Sequence, residues 1–114
     1  MFATADPEGF VTVVPGVRRK TLCFGSETLM TEFRLDGGYD LPRHAHPHEQ
    51  TGYLVSGRLR FTIGDDTRDL SPGDIWCIAG AVEHGAHVLE DAVAVEVFSP
   101  LREDFLPGPS AQGG

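Results

Sequence analysis

Residues 42–50 read Pro42-Arg43-His44-Ala45-His46-Pro47-His48-Glu49-Gln50, and the frame around them decides the fold. His44, His46, His48 and Gln50 share one parity, so on a straight strand all four would face the same way, about 6.6 Å apart in succession. Neighbours in that series can converge on one ion through imidazole bonds of about 2.1 Å, whereas His44 and Gln50, about 20 Å apart on a straight strand, cannot. The segment must therefore bend if Gln50 is to join. Pro47 is the natural place for the break, because its ring fixes φ and it donates no ladder hydrogen bond. Taken alone, the segment also fits a solvent-facing, His-rich edge strand with no ion.

Outward from this stretch, alternating or β-branched runs recur at 11–14, 28–35, 53–55, 59–63, 75–78 and 93–98. Turn chemistry separates them: Asp36-Gly37-Gly38, Ser56-Gly57, Gly64-Asp65-Asp66, Ser71-Pro72-Gly73 and Gly80-Ala81. With 14 Gly and 8 Pro and almost no helical period, the chain reads as all-β, a sandwich or small closed barrel. Alternation at 58–63 turns Leu59, Phe61 and Ile63 inward and leaves Arg58, Arg60 and Thr62 to water. Run 92–98 is apolar on both faces except for Glu96, so its outer face needs a cover, and a second subunit is the simplest one. A homodimer is expected.

The 114 residues suffice for one domain with one core, so any site must be built from that core. Nine Lys plus Arg against 17 Asp plus Glu give a net charge of -8, which disfavours nucleic acid and anionic membrane surfaces as partners. The basic cluster Arg18-Arg19-Lys20 reads as a solvated strand edge. No apolar run approaches the roughly 20 residues of a membrane-spanning helix, and the start MFATADPEGF lacks the pattern of a signal peptide. A cytoplasmic protein is expected. Cys23 and Cys77, in apolar runs without CxxC spacing, read as buried reduced thiols. The expected domain spans residues 1–106, followed by a mobile Pro/Gly-rich tail at 107–114.

The wider spacing is specific. Gly38, five residues, His44, one residue, His46, three residues, Gln50, six residues and Gly57 are followed downstream by Gly73, five residues, Ala79-Gly80-Ala81, two residues and His84. The region from about 34 to 98 resembles the cupin family, whose two motifs carry glycine, two His and a Glu, then glycine, a turn and a third His. The resemblance implies a cupin-type jelly-roll barrel, a double-stranded β-helix, holding one divalent metal ion on His44, His46, Gln50 and His84. Zn, Ni, Fe, Mn and Cu all accept such ligands. The chain departs from the family pattern at Gln50 for Glu, Ala79 for Pro, Ala81 for Gly and Val88 for Asn. Beside this set, His48 is expected to turn aside at the bend or line the cup, Glu49 to be exposed or to stand behind the ligands, and His87 to lie on the face opposite His84.

Three imidazoles and an amide would leave a divalent ion its full charge, where a carboxylate would cancel half of it. Such a site draws anionic oxygen ligands and suits substrate polarisation or isomerisation. Glu96, a carboxylate in an apolar strand, is costly if inward unless paired or functional, and otherwise belongs at an outer subunit contact. Arg102 could clamp a substrate carboxylate or form a surface ion pair with Glu103 or Asp104.

The runs HPHEQTGYLVSGRLRFTIG and VFSPLREDF resemble the single-domain cupins of pectin and alginate breakdown, which convert 4,5-unsaturated uronates to linear ketonised forms. That resemblance implies catalytic roles for Glu96, where those enzymes have an acidic catalytic residue, and for Arg102, as the substrate-binding arginine. Other readings are a cyclase or isomerase of polyketide-like substrates, a metal-dependent dioxygenase, and a non-catalytic small-molecule binder. Phe33, Tyr53, Phe61, Trp76 and Phe98 are the aromatic candidates for the cup lining.

Overall fold

Two long strands organise the molecule, β5 (Glu49–Ile63) and β8 (His84–Ser99), antiparallel along most of their length. A computed structural model describes residues 1–107 of the chain. The remaining strands are β1 (Val11–Val14), β2 (Val17–Phe24), β3 (Leu29–Leu35), β4 (Asp40–His44), β6 (Asp66–Leu70) and β7 (Ile75–Ile78), with one 3-10 turn at Glu103–Phe105. The sheet order is β1-β2-β3-β8-β5-β6, with β4 also paired to β8 and β7 to β5. The final half of β8 lies between β3 and the start of β5, while its first half lies between β4 and the end of β5.

Between those halves the ladder slips at Leu54, Ser56 and Arg58, and the sheet folds over on itself there. Gly57 sits at this corner with φ of 82°, and a Cβ on it would lie 2.1 Å from the carbonyl oxygen of Asp91, so only glycine fits. Ser56-Gly57, expected as a turn between two strands, is thus a bulge inside one strand. The consequence is a barrel whose two sheets share β5 and β8.

Alternation does the rest. Leu59 and Phe61 are buried while Arg58 and Arg60 are exposed, as expected from their period of two. With Val17, Leu29, Phe33, Leu54, Trp76, Ile78, Val88 and Phe98 they make the core. In β8, Ala92, Ala94, Glu96 and Phe98 point inward and Val93, Val95 and Val97 outward. Beside that outer row stand Met30, Val55, Tyr53 (50% exposed) and Ile75 (73% exposed) on the flanking strands.

Two expectations fail. Cys77 is exposed because it alternates with the inward-facing Trp76 and Ile78 on a strand with one wet face, and Cys23 is half-buried. The basic cluster is not an edge either: β2 is flanked by β1 and β3, and Arg19 stacks over the Phe105 ring at 3.7 Å. Among the described residues no helix is long and apolar enough to cross a membrane. Residues 108–114, most of the expected tail, lie outside the described residues.

Candidate metal centre and its surroundings

The stretch 42–50 does break. β4 ends at His44 and β5 begins at Glu49, so Ala45, His46, Pro47 and His48 form an irregular bend. The Ala81 amide donates to the His46 carbonyl at 2.7 Å, which pins the bend to the turn before β8. Ala81 takes φ of 67°, a left-handed conformation uncommon for a residue with a Cβ. His84 starts β8 directly opposite His44.

One ligand atom from each of His44, His46 and His84 lies within 4.8 Å of the others, a potential metal site. Two of the donor nitrogens are pre-set. The Nδ1 of His44 donates to the Pro42 carbonyl and that of His84 to the Val82 carbonyl, each at 2.8 Å, so in both rings Nε2 carries the lone pair. Nε2 of His84 is buried and has no hydrogen-bond partner among the described residues, an orphan that a metal ion would satisfy. Burial holds the His84 imidazole down to about 4 and also lowers that of His46, with the Arg102 charge adding to the effect at both. Neutral imidazole is the ligating form, so the residues present fit a divalent ion.

Gln50 lies against the cluster. Its Oε1 faces His46 Nε2 at 2.6 Å, and its amide nitrogen donates to Glu96 Oε2. The Trp76 indole N–H donates to the same oxygen at 3.0 Å. Glu96 therefore faces inward, buried to 6% exposure, and not toward a subunit contact. Burial lifts its carboxyl to about 7, against the hydrogen bonds from Trp76 and Gln50 and the Arg102 charge, which favour the ionised form.

Arg102 follows Pro100 back toward this interior, with its side chain only 12% exposed. Its guanidinium lies 5.1 Å above the Phe98 ring and 3.9 Å above Phe105, and it makes two bonds to Asp104 at 3.0 and 2.6 Å. The ion pair with Asp104 expected from sequence is present, yet the arginine itself is covered. Phe105 is held between Arg102 and Arg19, and the Thr21 hydroxyl donates to its carbonyl at 2.5 Å. Phe98 in turn stands edge-on to His46 at 5.7 Å.

His48 lies 5.6 Å from the His46 ring, half-buried with its Nδ1 unpartnered among the described residues. Glu49 is exposed, and His87 is exposed and bonded to Asp40 at 2.6 Å, as expected for both. Of the aromatic candidates, Trp76 and Phe98 touch the site residues, whereas Tyr53 is on the outer face. The Trp76–Glu96 contact was not foreseen; the signal for it is Gly52, which sits opposite both residues in the ladder. A Cβ there would lie 2.0 Å from the Trp76 ring, so the missing side chain opens the path by which the indole reaches Glu96.

A barrel of this topology with histidines at these positions defines the cupins, and the cupin-domain family profile matches residues 31–99; the chain belongs to that family. Among its relatives is the pectin degradation protein KdgF of Dickeya dadantii, 30% identical over 93 residues, which span 80% of this chain and 84% of KdgF. The structure of KdgF from a Halomonas species superposes with a TM-score of 0.87 at 32% identity, covering 93% of this chain and all of that one. An RmlC-like cupin from Shewanella frigidimarina gives 0.86 at 28% identity, covering 92% of this chain and 95% of its own.

Proposed function

We propose that this cupin is a metal-dependent enzyme that opens and ketonises the ring of a small unsaturated uronate-like sugar, an isomerisation. The observation that carries the reading is the meeting of three imidazoles, two of them with pre-set donor nitrogens, a buried carboxylate and a covered guanidinium at one interior. Kinship with KdgF, whose name assigns it to pectin degradation, supports the substrate class. A divalent ion held by His44, His46, His84 and Gln50 would supply Lewis acidity, undiminished by any ligand carboxylate.

The chain's own residues supply the rest. Arg102 binds the sugar carboxylate through its planar donor fork, sharing or exchanging the place now taken by Asp104. Glu96 holds a proton near neutral pH and can take one up from a hydroxyl or deliver one to carbon, as ring opening and tautomerisation require. Both bonds it accepts fall on Oε2, leaving Oε1 without a partner among the described residues. No oxidant is consumed, since a proton moves from oxygen to carbon within the substrate.

The test is turnover of an unsaturated uronate, followed by loss of its conjugated alkene absorbance with the product read by NMR. Faster loss with enzyme and a linear keto product support the reading. Oxygen uptake would mark a dioxygenase instead, and a ligand-dependent thermal shift without product would mark a binder.

The same reading includes a homodimer through the outer face of β3, β8, β5 and β7. Glu32 and Arg34, paired at 2.9 Å, flank the row of Val93, Val95 and Val97. Opposite charges side by side on one apolar face can be satisfied by a second copy related by a twofold axis.

A further inference from the structure

The amide of Gln50 has two ends that differ in chemistry but hardly in shape, and only the oxygen can ligate a metal ion. Nothing in the three histidines selects between the two orientations: His46 Nε2, now 2.6 Å from Oε1, could face either end depending on its proton. The selection comes from the other side. Glu96 Oε2 accepts from the Gln50 amide nitrogen and from the Trp76 indole, so a proton on this carboxyl belongs on Oε1, and Oε2 has nothing to donate to a flipped amide that offers only lone pairs. Glu96 is itself held in line by the ladder. It lies between Thr31 and Gly52, with the Thr31 hydroxyl donating to its carbonyl at 3.1 Å.

We infer that Glu96, oriented by Trp76 across the gap at Gly52, is a positioning residue for Gln50, fixing the amide so that Oε1 faces the three histidines. This rests on the metal-site reading above and adds to it a cause for the choice of Gln50 as a ligand. It also gives Glu96 a duty that needs only an acceptor oxygen, separate from any proton it moves. A flipped amide would set two lone-pair oxygens against each other in a buried place and turn an N–H toward the ion, so the preference is strong.

The experiment is Co2+ affinity, measured on the full-length, metal-stripped protein by competition with a chromophoric chelator. Glu96→Gln keeps an acceptor oxygen for both donors, so its affinity stays within about threefold of wild type. Glu96→Leu removes the acceptor at similar volume and lowers affinity ten- to a hundredfold, the range in which loss of a ligand's supporting hydrogen bond falls. In a Gln50→Ala background, Glu96→Leu lowers affinity no further.

Three results overturn the inference: Glu96→Leu binding as wild type, Glu96→Gln falling as far as Glu96→Leu, or an undiminished effect in the Gln50→Ala background. The second would show that charge attraction, and not amide orientation, is at work. If Glu96→Leu does not fold, Glu96→Ala takes its place, with circular dichroism as the check. No sugar is present in the assay, so failure of the uronate reading leaves this result standing. Co2+ binding unchanged by His44→Ala with His46→Ala would instead remove the metal site itself.

Discussion

His44 and His84 stand directly opposite each other on β4 and β8, their ring centroids 4.3 Å apart and their planes inclined by 59°. Each ring is fixed through Nδ1 to a carbonyl two residues earlier in the chain, so both Nε2 atoms are set before any ion arrives. The pair also closes one seam of the barrel, since among the described residues β4 is paired only with β8. An ion held by this pair would therefore bear on the seam as well.

Metal loading should stabilise the fold. At a free-ion concentration a hundredfold above Kd the gain is about 2.7 kcal/mol, read as a higher midpoint in denaturant. His44→Ala with His46→Ala should abolish both this gain and the metal found by elemental analysis. A double variant that retained stoichiometric metal would show the site to be elsewhere.

Stability of the metal-stripped protein should depend on pH through Glu96. Its carboxyl is raised from an ordinary value of 4.5 to about 7, so between these values the native state holds a proton that the unfolded chain has released. The associated stability is present below 4.5 and is lost as pH rises through 7. Glu96→Gln should remove that loss, making the variant more stable than wild type at pH 8 by on the order of 3 kcal/mol. His84 acts in the opposite sense: depressed from 6.5 to about 4, it costs stability as pH falls between those values. Urea unfolding across pH 5 to 8 checks both slopes, and identical pH profiles for the two proteins would contradict the assignment to Glu96.

Arg102→Lys should leave metal content unchanged while lowering kcat/KM for an unsaturated uronate ten- to a hundredfold, chiefly through KM. Lysine keeps the charge but loses the planar fork and the stacking on Phe98 and Phe105. Unaltered kinetics would take Arg102 out of substrate binding.

Ala81→Gly should stabilise the protein. A left-handed residue with a Cβ carries about 1–2 kcal/mol of strain, and the added freedom of glycine in the unfolded chain returns about 0.4–1 of it. A net gain of up to about 1 kcal/mol, a few degrees in Tm, is expected by calorimetry.

Tyr53→Asp with Ile75→Asp should convert a dimer to a monomer by light scattering, without loss of secondary structure. Both side chains lie half or more exposed on the outer face. A wild-type protein that is already monomeric would refute the interface.

Local pattern made much of this legible. The period of two at 58–63 set the inward face correctly, and Pro47 marked the bend because a residue that cannot donate to the ladder ends it. The histidine spacing pointed to His44, His46 and His84 because two lie within three residues and the third follows a recognisable turn. What escaped depends on register between distant strands. Ser56-Gly57 carries the same signal whether it reverses the chain or bulges within it, and only the packing of Gly57 on Asp91 makes it a corner. The alignment of Gln50 and Trp76 with Glu96 is set by that corner, so no reading of any one segment could supply it. Cys77 went wrong for a simpler reason: a four-residue apolar run does not say which of its faces is wet.

That β5 and β8 pass through both sheets has one more consequence. A slip of one residue between them would turn the inner face of one strand outward against the other, Gln50 and Leu54 on β5 or Ala94 and Glu96 on β8, exchanging greasy and polar surfaces along that strand. Such a chain could not keep its core while losing only its pocket. The fold thus proofreads its own chemistry: a molecule that has buried its apolar residues correctly has, by the same alignment, already assembled the wall against which an ion and a sugar acid would rest.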